Sequence, residues 1–348
     1  MISEKLFAHI HNDSHLVGTR NLEGLEFQST VEYLFKYVEM LRVNTNDEKQ
    51  LKKIEALFKK IENLKIYTAD IARLRVSCEV QTLEEVKHNS LLNSITSKIL
   101  SNINSINPSQ KKVSDVNGIL MPGGWQNGSN GGHVIIYEFK YDSDGNLIFL
   151  LHNTGAGLNF HHKIQQIDKD RYCPIKAYKI PKDSIDTIRL QKFIEELIIP
   201  QLSIKGVPDT SAEEIYNEVF SKIAYLNGEE VSPYKFTKQD NLTAGQRSGT
   251  CAERSLHQMI ENEMPSKKAY RKFIYEFKKY SLEEYINKVK SDQTINEPGV
   301  RNQICLAIEN MARALLKKDF FDEEKKNGRA TFIKEKVRRI FQGRDFRA

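Results

Sequence analysis

Only four of the 348 residues are cysteine (Cys78, Cys173, Cys251 and Cys305), and no two of them form a CxxC pair. Their isolation argues against a disulfide framework and against a thiolate zinc site, and it suits a reducing compartment with free thiols. No apolar run approaches the ~18 residues that a membrane span needs. The opening MISEKLFAHIHNDSH has no basic segment followed by an apolar one, so no cleaved secretory signal is expected. Neither HExxH nor a paired-carboxylate pattern is present, and GxxxxGK[ST] is missing from the glycine-rich stretch 123–132. No metal and no cofactor are therefore expected. A nucleic-acid footprint is lacking too. The 52 basic and 46 acidic residues, net charge +6, are interspersed, and the lysine pairs between Lys267 and Lys279 alternate with aromatics at helical spacing, as on a solvated helix face.

What is present has the pattern of an α+β protein. Apolar residues recur at three- and four-residue intervals over Phe27–Leu41 and Glu48–Leu64, predicting two helices. A third is expected over Thr82–Leu100, with Thr82 and Glu85 as a capping box. The Asn/Ser-rich stretch 101–109 reads as a linker, and MPGGWQNGSNGG (121–132) as a glycine-rich loop. Two β-type runs follow, Val134–Tyr141 and Asn146–His152, joined by Asp142-Ser143-Asp144-Gly145, a hairpin signal. A third strand is expected over Pro174–Ile180, helices over Ser184–Ile199 and Ser211–Leu226, a loop over Asn227–Gly249, and a helix from Cys251. The expected layout is an N-terminal helical region (1–112), an α+β core (113–264) and a C-terminal helical region (265–348).

The segment Gly245-Gln246-Arg247-Ser248-Gly249-Thr250-Cys251-Ala252-Glu253 carries the chemistry. Thr250 and Glu253 fit a capping box, and Ala252, Leu256, Met259 and Ile260 fall on one face of the helix that follows. Cys251 is then the first helical residue, where unpaired N–H groups and the helix dipole favour thiolate over thiol. Gln246, across a glycine-containing turn, could donate with the Cys251 N–H to an oxyanion. Gly249 permits close backbone approach. Cys251 is the candidate nucleophile.

Nine histidines compete to be its base. His133 closes the glycine-rich loop and opens the first strand, which leaves its ring at a rim. A regular hairpin about Asp142–Gly145 would set it across from residues 153–156, where Asn153, with Thr154 as the alternative, could fix its tautomer in a Cys–His–Asn triad. Trp125, Gly131 and Gly132, together with Gly249, are candidate substrate-groove residues.

The order His133, Asn153, Gln246, Cys251 resembles the clan CE cysteine proteases: the Ulp-type proteases, adenain and the YopJ-type effectors. QRSGTC and GGHVIIYEF also look like boxes of the ubiquitin-specific proteases, but there the Cys precedes the His. Gln246 is one residue closer to the Cys than is usual in clan CE, and Val134 stands where Trp is common. The resemblance covers about 45 of the 348 residues. It implies a papain-like or Ulp-like central mixed sheet with helices. It further implies a bacterial effector deubiquitinase, such as the Legionella ubiquitin-specific protease type, acting on conjugates of ubiquitin or a ubiquitin-like protein in the host cytoplasm after export without a Sec signal; otherwise the chain is expected to be cytoplasmic. A YopJ-type acyltransferase using the same Cys–His pair, and a non-catalytic helical adaptor, are the competing expectations.

Overall fold

A computed structural model of the chain describes residues 27–108, 118–126, 132–165, 170–236 and 251–291. The chain divides into two compact units, residues 20–263 and a second made of 1–19 with 264–348. Of the second unit, the main described element is the 25-residue helix α8 (Lys267–Ser291), whose start is capped by Ser266 Oγ accepting from Ala269 N at 3.1 Å.

The larger unit opens with helices α1 (Phe27–Asn44) and α2 (Glu48–Cys78). α2 starts where Asp47 accepts from Gln50 N, and it runs well beyond Leu64 because Tyr67, Ile71, Leu74 and Cys78 continue its buried stripe. The expected third helix is two, α3 (Leu83–Lys87) and α4 (Ser90–Ser105), and the Thr82–Glu85 capping box is formed. Asn89 caps the second of them. The Asn/Ser stretch from 101 is not a linker at its start: α4 continues to Ser105, because Ile103 is fully buried and Asn102 reaches Asn63 and the Tyr67 hydroxyl. Tertiary packing overrides weak helix propensity there.

The sheet comprises β1 (Ile119–Gln126), β2 (Gly132–Tyr141), β3 (Leu147–His152), β6 (Ile175–Ile180) and β7 (Glu229–Val231), in the spatial order β1-β2-β3-β6-β7. Every pairing is antiparallel, so the α+β class holds with an antiparallel rather than a mixed sheet. A short separate hairpin pairs β4 (Lys163–Gln165) with β5 (Asp170–Tyr172). Two loop expectations are corrected. MPGGWQ is strand β1, and the segment after Asn227 contributes the edge strand β7. Gly123 shows why β1 is glycine-rich, since a Cβ there would come within 2.4 Å of the Tyr137 ring. The composition that reads as a loop is the imprint of an aromatic ring lying against the strand.

Alternation along β2 and β3 divides the side chains between two faces. Ile135, Tyr137 and Phe139 share one face with Leu147, Phe149 and Leu151, and they pack into a core with α2, α4, α5 (Thr187–Ile198) and the helical run α6 (residues 212–226). The N-terminal helices and the sheet thus share one core. On the other face Glu138, buried to 2% exposure, accepts from Lys60 of α2 (Oε1, 2.9 Å) and pairs with His152 Nε2 (Oε2, 3.0 Å). Lys60 Nζ also donates to Glu263 (2.7 Å), the last residue of α7 (Cys251–Glu263), a helix that packs against β2 and β3. Burial opposes charge on Lys60, but the two carboxylates outweigh it and raise its pKa above the usual lysine range. Burial likewise opposes charge on Glu138, and Lys60 above all holds that carboxyl well below its ordinary range. No helix among the described residues is long and apolar enough to cross a membrane.

This buried ion cluster joins three elements, so deleting its cation should be costly. Lys60→Met is expected to lower stability in urea unfolding by about 3–5 kcal/mol, with part recovered in Lys60→Met/Glu138→Gln. A loss below about 1 kcal/mol would mean the cluster behaves as a surface ion pair.

Candidate active site

His133 is the second residue of β2 and lies directly opposite Trp125 of β1. The two rings meet with centroids 4.7 Å apart, tilted at 45°. Trp125, an expected groove residue, is itself 5% exposed, so it packs on the imidazole. Gly132 pairs with Gln126, and a Cβ on it would come within 2.6 Å of the Trp125 carbonyl oxygen, so only glycine allows the two strands to meet this closely beside the histidine.

Asn153 follows the last residue of β3. The register Ile136↔His152, continued past its last pair, brings residue 155 opposite His133, inside the window expected from the hairpin. Asn153 reaches diagonally across that gap, and its Oδ1 lies 3.0 Å from His133 Nε2. Thr154 does not meet the histidine: its hydroxyl is buried with no hydrogen-bond partner among the described residues.

The direction of the His133–Asn153 bond follows from the backbone around it. Gly155 N–H donates to Asn153 Oδ1 at 2.9 Å, and Asn153 Nδ2 donates to the Ala156 carbonyl at 2.7 Å. An amide turned the other way would set donor against donor and acceptor against acceptor. Oδ1 therefore faces His133, whose Nε2 must carry the proton. In the neutral ring Nδ1 is then the basic nitrogen. Burial lowers the His133 pKa to about 4, the bond to Asn153 opposing the shift, so the ring is neutral at physiological pH, as a base awaiting a proton must be.

Cys251 is the first residue of α7, as expected, which places its backbone at the positive end of a 13-residue helix. Leu256, Met259 and Ile260 are buried, as their spacing predicts. The Cys251 side chain, Thr250, Gln246, Gly249 and Gly131 lie outside the described residues, so the structure joins His133 to Asn153 and Trp125 but does not bring the nucleophile or the oxyanion donor to them. Cys78 and Cys173 are free thiols. Burial raises the pKa of both, that of Cys173 to about 11, which makes neither a competing nucleophile.

Two other polar groups on this side of the sheet have no signal in the sequence. Tyr216 Oη lies 3.0 Å from Asn153 Nδ2, and His161 Nε2 lies 2.6 Å from that oxygen. The pair Asn153–Tyr216 spans 63 positions, so only the fold brings them together. His161 is 4% exposed. His152 stands on the opposite face with Glu138, and its Nδ1 is buried without a partner among the described residues. No group of three or more His, Cys, Asp or Glu side chains among the described residues could hold a metal ion. Comparison with protein-family models, curated proteins and solved structures finds no match to this chain.

Because burial depresses its folded-state pKa, His133 binds its proton more weakly folded than unfolded. The unfolded chain therefore binds more protons between pH ~6.5 and ~4, and this group's contribution to stability should fall as pH drops through that window. Histidine NMR titration of the full chain should find His133 titrating near 4; titration near 6.5 would contradict the buried, neutral base.

Proposed function

We propose that the chain is a thiol isopeptidase of clan CE character that removes ubiquitin or a ubiquitin-like protein from lysine side chains, acting as an effector in a host cytoplasm. The observation that carries this reading is the His133–Asn153 pair, oriented so that Nδ1 is the free base, in the same compact unit as a cysteine at a helix N-terminus. The order of the motifs along the chain supports the substrate class.

In this mechanism His133 Nδ1 takes the proton of the Cys251 thiol. The thiolate attacks the carbonyl carbon of the isopeptide bond, and the oxyanion accepts hydrogen bonds from Gln246 and the Cys251 N–H. As the tetrahedral species collapses the C–N bond breaks, and the imidazolium returns its proton to the departing lysine amine. Water then attacks the thioester with His133 as base, releasing the modifier's carboxylate and restoring the thiol. Asn153 holds the ring through each transfer.

One observation favours a second assignment of the base. His152 Nε2 is held by Glu138, its Nδ1 is unpartnered among the described residues, and it lies on the Glu138 face, to which α7 is tied through Lys60. The same experiment separates the two histidines. Full-length protein is incubated with C-terminally electrophilic probes built on ubiquitin and its small relatives, and the adduct is located by mass spectrometry. The expected outcome is one adduct on Cys251, lost in Cys251→Ala and His133→Ala and retained in His152→Ala. Loss in His152→Ala alone would transfer the base to that residue. No adduct with any probe would contradict the isopeptidase, and consumption of acetyl-CoA would then assign the pair to acyl transfer.

A further inference from the structure

A chain of hydrogen bonds continues inward from Asn153, and its directions are fixed from its far end. The Cys173 carbonyl can only accept, so His161 Nδ1, 2.9 Å away, carries a proton toward it. Burial keeps His161 neutral, its pKa lowered to about 3, which makes Nε2 an acceptor. Tyr216 Oη, 2.6 Å from that nitrogen, must therefore donate to it. The hydroxyl's lone pair is left for Asn153 Nδ2 at 3.0 Å. Asn153 in turn shows its carbonyl oxygen to His133. The sequence of donors and acceptors runs without a break from a backbone carbonyl of one loop to the ring of the proposed base.

The fold takes trouble to hold Tyr216 in place. It lies on a π-helical turn, Ile215–Val219, inside the helical run 212–226, an irregularity that recurs at functional sites. Its ring stacks on Phe160 (centroids 4.9 Å, 15°) and meets Phe220 edge-on at 5.0 Å. Gly157, at φ +82°, lies against the same ring, and a Cβ there would come within 2.5 Å of it. A tyrosine needed only to fill space would not require its hydroxyl to bridge two buried polar side chains. Without that hydroxyl one buried N–H of Asn153 loses its acceptor, and only the bonds to Gly155 N–H and the Ala156 carbonyl still oppose turning of the amide.

We propose that Tyr216 and His161 are positioning residues for His133: acting through Asn153, they hold the ring as the Nε2–H tautomer and so keep Nδ1 as the base. This rests on the reading of His133 as the base of Cys251. The positioning itself is measurable without any substrate.

The full-length chain labelled with 15N-histidine would be studied by long-range 15N–1H correlation. Wild type should show His133 with a protonated Nε2 and an unprotonated Nδ1. Tyr216→Phe, which keeps the ring and its packing, and His161→Leu should each give a mixture of tautomers. His161→Gln, whose amide oxygen can replace the accepting nitrogen, should restore the single form. In parallel, iodoacetamide labelling of Cys251 at pH 7, read by mass spectrometry, should slow about tenfold in Tyr216→Phe, as expected for loss of one buried hydrogen bond. It should slow no further when Tyr216→Phe is added to Asn153→Ala, because both act through one path. An Nδ1–H tautomer in wild type, or an unchanged tautomer in both Tyr216→Phe and His161→Leu, would overturn the positioning role. Labelling of Cys251 that is indifferent to His133→Ala would instead remove the base assignment on which the catalytic part depends.

Discussion

The register of β2 against β3 is the constraint on which the site depends. A slip of one residue would turn every side chain of one strand to the opposite face, moving Tyr137 and Phe139 out of the core and setting Glu138 among leucines. The turn holds that register. Asp142 Oδ1 accepts from both Asp144 N and Asn146 N at 2.9 Å, and Gly145 N–H donates back to the Asp142 carbonyl. With the pairing fixed at the turn, the open end of the hairpin has no freedom of phase. His133 and Asn153 meet there because each stands a set number of residues from Asp142.

The sheet then separates two kinds of buried polarity. On the core side a neutral set of His133, Asn153, Tyr216 and His161 is paired by directional hydrogen bonds, and burial there depresses both histidines' affinity for protons. On the other side Glu138, Lys60 and Glu263 are joined as ions that compensate one another. Keeping these apart has a chemical consequence. The cation of Lys60 and the carboxylates act on a different face from His133, whose basicity is set by burial and a single amide.

Much of this was legible in the sequence, and for identifiable reasons. Hairpin chemistry is local, so Asp142-Ser143-Asp144-Gly145 announced the turn, and counting outward from it brought Asn153 within reach of His133. The Thr82–Glu85 cap and the helix from Cys251 were equally local. Strand β1 was not legible, because its glycines answer to the ring of Tyr137, and a residue chosen for what lies across the sheet looks like loop composition. Asn102 and Ile103 concealed the end of α4 in the same way. Tyr216 and His161 were invisible because nothing in their own neighbourhoods points to Asn153, and their lysine and glutamate counterparts on the other face are separated in sequence by 78 and 203 positions.

The central claim is that His133 governs the ionisation of Cys251, and it is tested most directly by the pH dependence of Cys251 alkylation in the full chain. The account predicts that neutral His133 takes the thiol proton as the sulfur reacts, so that Cys251 alkylates well below the ordinary cysteine pKa of about 8.5. In His133→Ala the profile should return toward that value, with Asn153→Ala lying between. A wild-type profile centred near the ordinary value and unmoved by His133→Ala would show that the strand-end histidine and the helix-start cysteine do not form one site.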